Sequence, residues 1–118
     1  MHRILIVDDE ELIREMLKDE LRLDQNFQVF EANGGLSAMK ILAENPIELM
    51  ITDLIMPNQG GIETILEAKK FHPKLKIFAI SGSEVNLRKA KTFGVDEIFE
   101  KPLDALFVID QVKEFLAK

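Results

Sequence analysis

The chain has 118 residues, 47% apolar and 31% charged, with no Cys and a net charge of −6; that size suits one compact domain with a single core. Without cysteine there is no disulfide framework, thiolate metal site or thiol nucleophile, and the acidic balance disfavours direct nucleic-acid binding, which needs a basic patch to displace counterions. No apolar run approaches the roughly 18 residues of a membrane span, and no basic segment followed by a long apolar stretch opens the chain, so the expectation is a cytoplasmic protein whose partners are proteins or small ions, with no membrane contact.

Residues 3–7, RILIV, predict a buried strand that runs directly into four carboxylates, Asp8, Asp9, Glu10 and Glu11. Helical spacing follows: Leu12, Ile13, Met16, Leu17 and Leu21 form an apolar stripe, with Arg14, Glu15, Lys18 and Asp19 opposite. A second strand is predicted at 27–32, FQVFEA, then a turn at Asn33-Gly34-Gly35 and a helical stretch at 36–44 that ends at Asn45-Pro46. The third strand, ELMITD at 48–53, precedes a turn from Pro57 through Asn58 and Gln59 to Gly60 and Gly61, and a helix at 62–71. His72-Pro73 separates that helix from KIFAIS at 76–81, the fourth strand. A helix at 84–93, Gly94, a short strand EIFEK at 97–101 and a last helix at 104–117 complete the chain, with Leu106, Ile109, Val112 and Leu116 in register.

Five strands alternating with five helices predict an α/β domain over residues 1–118: an open parallel sheet with helices on both faces. The nearly unbroken apolar runs of the first and third strands fit burial on both sides. In such sheets the ligand site lies beyond the carboxyl ends of the strands, where strand order reverses. The polar residues follow that rule, since the strands end in Asp8 and Asp9, Asp53, Ser81 and Lys101. Three carboxylates close together repel, and one would protonate unless cations compensate them. Lys101 supplies one positive charge, and a divalent cation would neutralise the remainder. An all-oxygen donor set suits Mg²⁺, whereas zinc would call for Cys or paired His. A carboxylate facing a metal ion, a hydroxyl and an ammonium has what phosphoryl transfer requires, and Asp53, alone at its strand end, is the candidate nucleophile beside the metal-holding pair Asp8 and Asp9.

VDDE at 7–10, ITDLIMP at 51–57, SG at 81–82 and EKPL at 100–103 resemble the receiver domains of two-component response regulators, of the chemotaxis-regulator kind, and the likeness spans essentially the whole chain. The resemblance implies a flavodoxin-like doubly wound (βα)5 fold with strand order 2-1-3-4-5. It implies that Asp53 takes a phosphoryl group from a sensor histidine kinase or a phosphotransfer protein. Asp8, Asp9, Asp53 and the backbone carbonyl of Ile55 would hold Mg²⁺, and Ser81 and Lys101 would contact the phosphoryl group. A changed surface on helix four, strand five and helix five would then control a downstream effector protein, without acting on a separate metabolite.

Three positions depart from the family pattern. Ile98 stands where Tyr or Phe is common, and Phe99, one place later, faces the other side of the strand by alternation, so output is expected to proceed without a ring rotamer change. Gly60 replaces a frequent Asp, which reads as local turn chemistry. Ile55 and Ser83, two residues beyond the phosphoacceptor and the hydroxyl, predict slow self-hydrolysis of the acyl phosphate.

Each residue taken singly also has a plainer role. The acids at 8–10 could serve only the positive end of the helix dipole, Asp53 could cap a turn, Ser81 could belong to an ordinary loop, and Lys101 could be a solvated lysine. Their joint placement favours the site. A flavodoxin-like cofactor carrier would need a Gly/Ser/Thr-rich phosphate loop where the acids stand. An Mg²⁺-dependent aspartyl-phosphate phosphohydrolase would need a substrate cap, for which 118 residues leave no room. A degenerate receiver acting as a phosphorylation-independent interaction module would not need the acid pair, Asp53, Ser81 and Lys101 together. His2 and His72 read as surface residues, and Met16, Met39, Met50 and Met56 as core or turn residues.

Overall fold

The structure is a computed structural model that describes residues 1–57 and 59–117; Asn58, in the predicted turn after the third strand, and Lys118, the last residue of the predicted domain span, lie outside them. The elements alternate strictly: β1 (His2–Val7), α1 (Glu11–Arg22), β2 (Phe27–Ala32), α2 (Gly35–Glu44), β3 (Leu49–Asp53), α3 (Gly61–Phe71), β4 (Lys76–Ser81), α4 (Glu84–Thr92), β5 (Glu97–Glu100) and α5 (Ala105–Ala117). All four strand pairings are parallel and the sheet order is β2-β1-β3-β4-β5.

The order explains where the helices lie. From β1 the chain steps to one edge through α1, and every later step runs the other way; because such crossovers are right-handed, the reversal places α1 on one face and α2, α3 and α4 on the other. After β5, α5 returns to the first face and packs beside α1. Strand alternation feeds both layers. Ile4, Ile6, Leu49, Ile51, Phe78, Ile80 and Phe99 meet Leu17 and Leu21 of α1 and Val108, Ile109 and Val112 of α5. Leu5, Val7, Met50, Ile77 and Ala79 meet Ala38 and Leu42 of α2, Ile65 and Ala68 of α3, and Leu87 and Ala90 of α4. Burying one Leu or Ile contributes about 1.5–3 kcal/mol, and a one-residue slip of β3 would exchange its two faces, so burial on both sides fixes the register that aims Asp53.

The structure corrects two members of the predicted stripes. Leu12 is 69% exposed and Leu106 58% exposed. At about 100° per residue, Leu12 sits about 140° around the helix from Leu17, and Leu106 about 160° from Val108. The stripes that reach the sheet are Ile13, Leu17 and Leu21 in α1, and Ala105, Val108, Ile109, Val112 and Leu116 in α5. Met50 and Met56 are buried, with Met16 and Met39 half-buried, as core or turn residues should be. His2 is half-buried, its Nδ1 2.9 Å from Glu48 Oε2 at the amino ends of the strands, opposite the acidic edge.

Candidate functional site

The register of β1 against β3 pairs Val7 with Thr52, so Asp8 and Asp53 occupy successive positions at two adjacent strand ends. Sheet order reverses between these strands, which lets the helices on the two faces diverge and leaves a crevice. Asp8, Asp9 and Asp53 each bring one carboxylate oxygen into a group lying within 4.8 Å of one another; Asp8 and Asp53 are buried and Asp9 is exposed. A cleft of about 210 Å³ opens beside Asp9, bounded by Asn33, Gly34 and Pro57.

Lys101 enters from the end of β5. Its Nζ lies 3.0 Å from Asp8 Oδ2, 3.7 Å from Asp53 Oδ2 and 2.7 Å from Glu10 Oε2. The contact with Glu10 is a hydrogen bond, and sequence reasoning did not find it. Its signal was present: a fourth acid directly follows the aspartate pair, at the helix N-cap, where an extended backbone carries it over the strand ends. The count of one lysine charge against three aspartates therefore changes, because Glu10 shares that charge.

Backbone donors satisfy half of each buried carboxylate. Glu10 N–H donates to Asp8 Oδ1 and Leu54 N–H to Asp53 Oδ1, both at 2.9 Å. Asp8 Oδ2, by contrast, accepts no hydrogen bond among the described residues, because Lys101 Nζ, though close, lies off the direction of one. Burial raises the Asp8 carboxyl above its usual range, against the pull of the Glu10 N–H and Lys101. Burial also raises Asp53 to about 6, helped by the charge of Asp8 and opposed by Lys101 and the backbone of Leu54 and Ile55. For Lys101, burial acts downward, but the hydrogen bond to Glu10 and the close negative charges of Asp8 and Asp53 outweigh it and hold the ammonium at about 12. A buried carboxylate oxygen without a donor, inside an all-oxygen set whose pKa values are pushed up, fits a hard divalent cation such as Mg²⁺.

The flanking backbone holds this edge in place. Arg14 reaches back from α1 to donate from Nη1 to the Asp8 carbonyl at 2.8 Å. Gly61 N–H donates to the Leu54 carbonyl at 3.0 Å, and a Cβ on Gly61 would collide with the Asp53 carbonyl oxygen and Leu54 Cα, so only glycine lets α3 begin this close to β3. Ser81 is buried, and its Oγ accepts the Ser83 N–H at 3.0 Å, while Ser83 Oγ in turn caps α4 by accepting the Asn86 N–H at 3.2 Å. Ser81 hydrogen-bonds none of the three aspartates, but its carbonyl accepts the Lys101 N–H at 2.9 Å, tying the two strand ends together. The structure thus gathers Asp8, Asp9, Asp53 and Lys101, with Ser81 on the adjoining strand end and Ile55 exposed two residues past Asp53. Ile98 packs on the α2–α4 face and Phe99 on the α1–α5 face, as alternation predicts, so Phe99 does not replace the ring missing at 98.

A family model described as the response regulator receiver domain matches residues 4–113. Among curated proteins, the chemotaxis protein CheY of Halobacterium salinarum is 31% identical over 97% of this chain and 96% of its own length. The transcriptional regulatory protein CpxR of Klebsiella pneumoniae is 28% identical over 100% of this chain, which spans only 50% of CpxR. SrrA of Staphylococcus aureus is 31% identical and is likewise spanned for 48% of its length. Among solved structures, the response regulator TrrA of Thermotoga maritima, in complex with Mg²⁺ and BeF, superposes with a TM-score of 0.86 at 31% identity, covering 97% of this chain and 98% of TrrA. A CheY-like receiver domain protein of Methanospirillum hungatei gives a TM-score of 0.91 at 26% identity, with 99% and 94% coverage. With the strand order, the acidic crevice and these matches in agreement, the chain belongs to the response regulator receiver domain family of two-component signalling.

Proposed function

We propose that this chain is a phosphorylation-activated switch whose phosphoacceptor is Asp53. The observation that carries the reading is the buried Asp8–Asp53 pair facing Lys101, with one aspartate oxygen left without a donor. Asp53 Oδ attacks the phosphorus of a phosphohistidine on a sensor histidine kinase or phosphotransfer protein. An O–P bond forms as the P–N bond breaks, and the imidazole leaves with the electron pair.

Asp8, Asp9, Asp53 and the Ile55 carbonyl are the groups that would hold Mg²⁺, which when bound supplies positive charge to the phosphoryl oxygens. The Mg²⁺–BeF complex of the related TrrA supports that choice of ion. Lys101 offers a second positive charge beside Asp53, and the Ser81 hydroxyl has a proton to donate, since its oxygen already accepts from Ser83. An apolar Ile55, two residues past the buried Asp53, with a short Ser83 gives a long-lived adduct.

Phosphorylation shifts the α4–β5–α5 surface between two populations, and a downstream effector protein reads the difference. On this reading the chain catalyses only its own phosphorylation and dephosphorylation, works in the cytoplasm and leaves nucleic acid to other proteins or domains. Two features agree with it: the acidic net charge, and the absence, among the described residues, of a helix long and apolar enough to cross a membrane. Incubation with a small acyl-phosphate donor and Mg²⁺, followed by intact mass measurement, should add one phosphoryl group to wild type and none to Asp53→Asn. An unmodified wild type would overturn the reading.

A further inference from the structure

We propose that Glu10 is a positioning residue that holds the Lys101 ammonium outward in the resting protein and thereby slows phosphorylation of Asp53; the inference rests on the phosphoacceptor reading above. Glu10 stands at the N-cap of α1, yet its side chain does not cap the helix. Its Oε2 instead accepts the one hydrogen bond that the ammonium makes among the described residues, at 2.7 Å. The alternative acceptors are poorer, since Asp8 Oδ2 at 3.0 Å is off-line and Asp53 Oδ2 at 3.7 Å is out of hydrogen-bond range. Glu10 is also the outermost of the three, with a side chain 58% exposed against 0% for Asp8 and 7% for Asp53. The ammonium is therefore drawn toward solvent and away from the reacting oxygen.

When Asp53 Oδ bonds to phosphorus and the donor's P–O or P–N bond breaks, the phosphoryl oxygens keep their negative charge. To meet them, Lys101 has to leave Glu10. Gln at position 10 would keep the shape but remove the charge assistance of that bond, releasing the lysine. Exposed ion pairs are weak, so the effect is about two- to five-fold in rate rather than orders of magnitude.

Removing any acid could also ease the approach of an anionic donor. Glu11 separates the two explanations, because it neighbours Glu10, is exposed, and is not among the ion-pair partners of Lys101, which are Asp8, Glu10 and Asp53 among the described residues. With the full chain, a small acyl-phosphate donor and saturating Mg²⁺, Glu10→Gln should phosphorylate about two- to five-fold faster than wild type and Glu11→Gln at the wild-type rate. In a Lys101→Met background, adding Glu10→Gln should change nothing, since the ammonium it acts through is gone. In the metal-free protein, the Lys101 ammonium ¹⁵N resonance should move in Glu10→Gln and stay in place in Glu11→Gln. An unchanged Glu10→Gln rate, an equal gain in Glu11→Gln, a gain that persists without the ammonium, or an unmoved resonance would each overturn the inference while wild type still phosphorylates. Failure of wild type to gain phosphate would instead remove the phosphoacceptor reading beneath it.

Discussion

Asp53 carries its charge at a cost to the fold. Its carboxyl is raised from 3.8 to about 6 in the folded protein by burial and by Asp8. Below pH 3.8 both folded and unfolded states hold the proton. As pH rises toward 6 the unfolded chain releases it first, so the folded state binds more protons and stability falls across that window. Asp8, also raised, acts in the same direction. Wild type in metal-free buffer should lose about 2–3 kcal/mol between pH 4 and pH 7 from Asp53. Asp53→Asn should flatten that loss and unfold at higher denaturant at neutral pH, which a pH series of urea melts would reveal. Mg²⁺ should restore stability to wild type at pH 7, by about 2.7 kcal/mol at a hundredfold excess over its Kd, and should do far less for Asp8→Asn; a chelator should reverse the gain in thermal melts.

At the scale of elements, α3 is the most constrained by the site. Gly61→Ala would press a methyl group against the Asp53 carbonyl and Leu54 Cα, so a loss of about 1–3 kcal/mol is expected, with slower phosphorylation because the β3 end must shift. Gly60, one residue earlier, differs. It is an N-cap with extended backbone, no capping side chain and open space around a would-be Cβ. Gly60→Asp should add a cap worth a few tenths of a kcal/mol in a denaturant midpoint and leave phosphorylation near wild type.

Elements and strand-end acids were legible in the chain because both follow simple periods. Strand alternation and the carboxyl-end rule fixed the faces of β1, β3 and β4 and put Asp8, Asp9, Asp53 and Lys101 at one edge. Leu12 and Leu106 were misread because apolar residues at element ends fall off a stripe whose phase is set by the helix centre. The Glu10–Lys101 contact spans 91 residues, and no local pattern encodes which of four acids a distant ammonium will choose. Ser81 illustrates the same limit: its strand-end position could be read, but its acceptance of the Ser83 N–H depends on how the backbone turns into α4.

Taken whole, the molecule is a sheet with two chemically unlike sides. On the α1–α5 side four rings run in succession, Phe115 to Phe78 at 5.2 Å, Phe78 to Phe99 at 5.5 Å and Phe99 to Phe107 at 6.0 Å between centroids. The α4 side has no such chain of rings among the described residues; Ile98 lies there, packed against a mostly aliphatic cluster to which Leu87 and Ala90 of α4 belong. Offset and edge-on ring pairs add about 0.5–1.5 kcal/mol each beyond their burial, so the two sides should open at different frequencies. Deuterium uptake should reach α4 amides well before those of α5, and phosphate on Asp53 should narrow that gap from the α4 side alone. Equal uptake on both helices would show that the row of phenylalanines does not make one wall of the protein stiffer than the other.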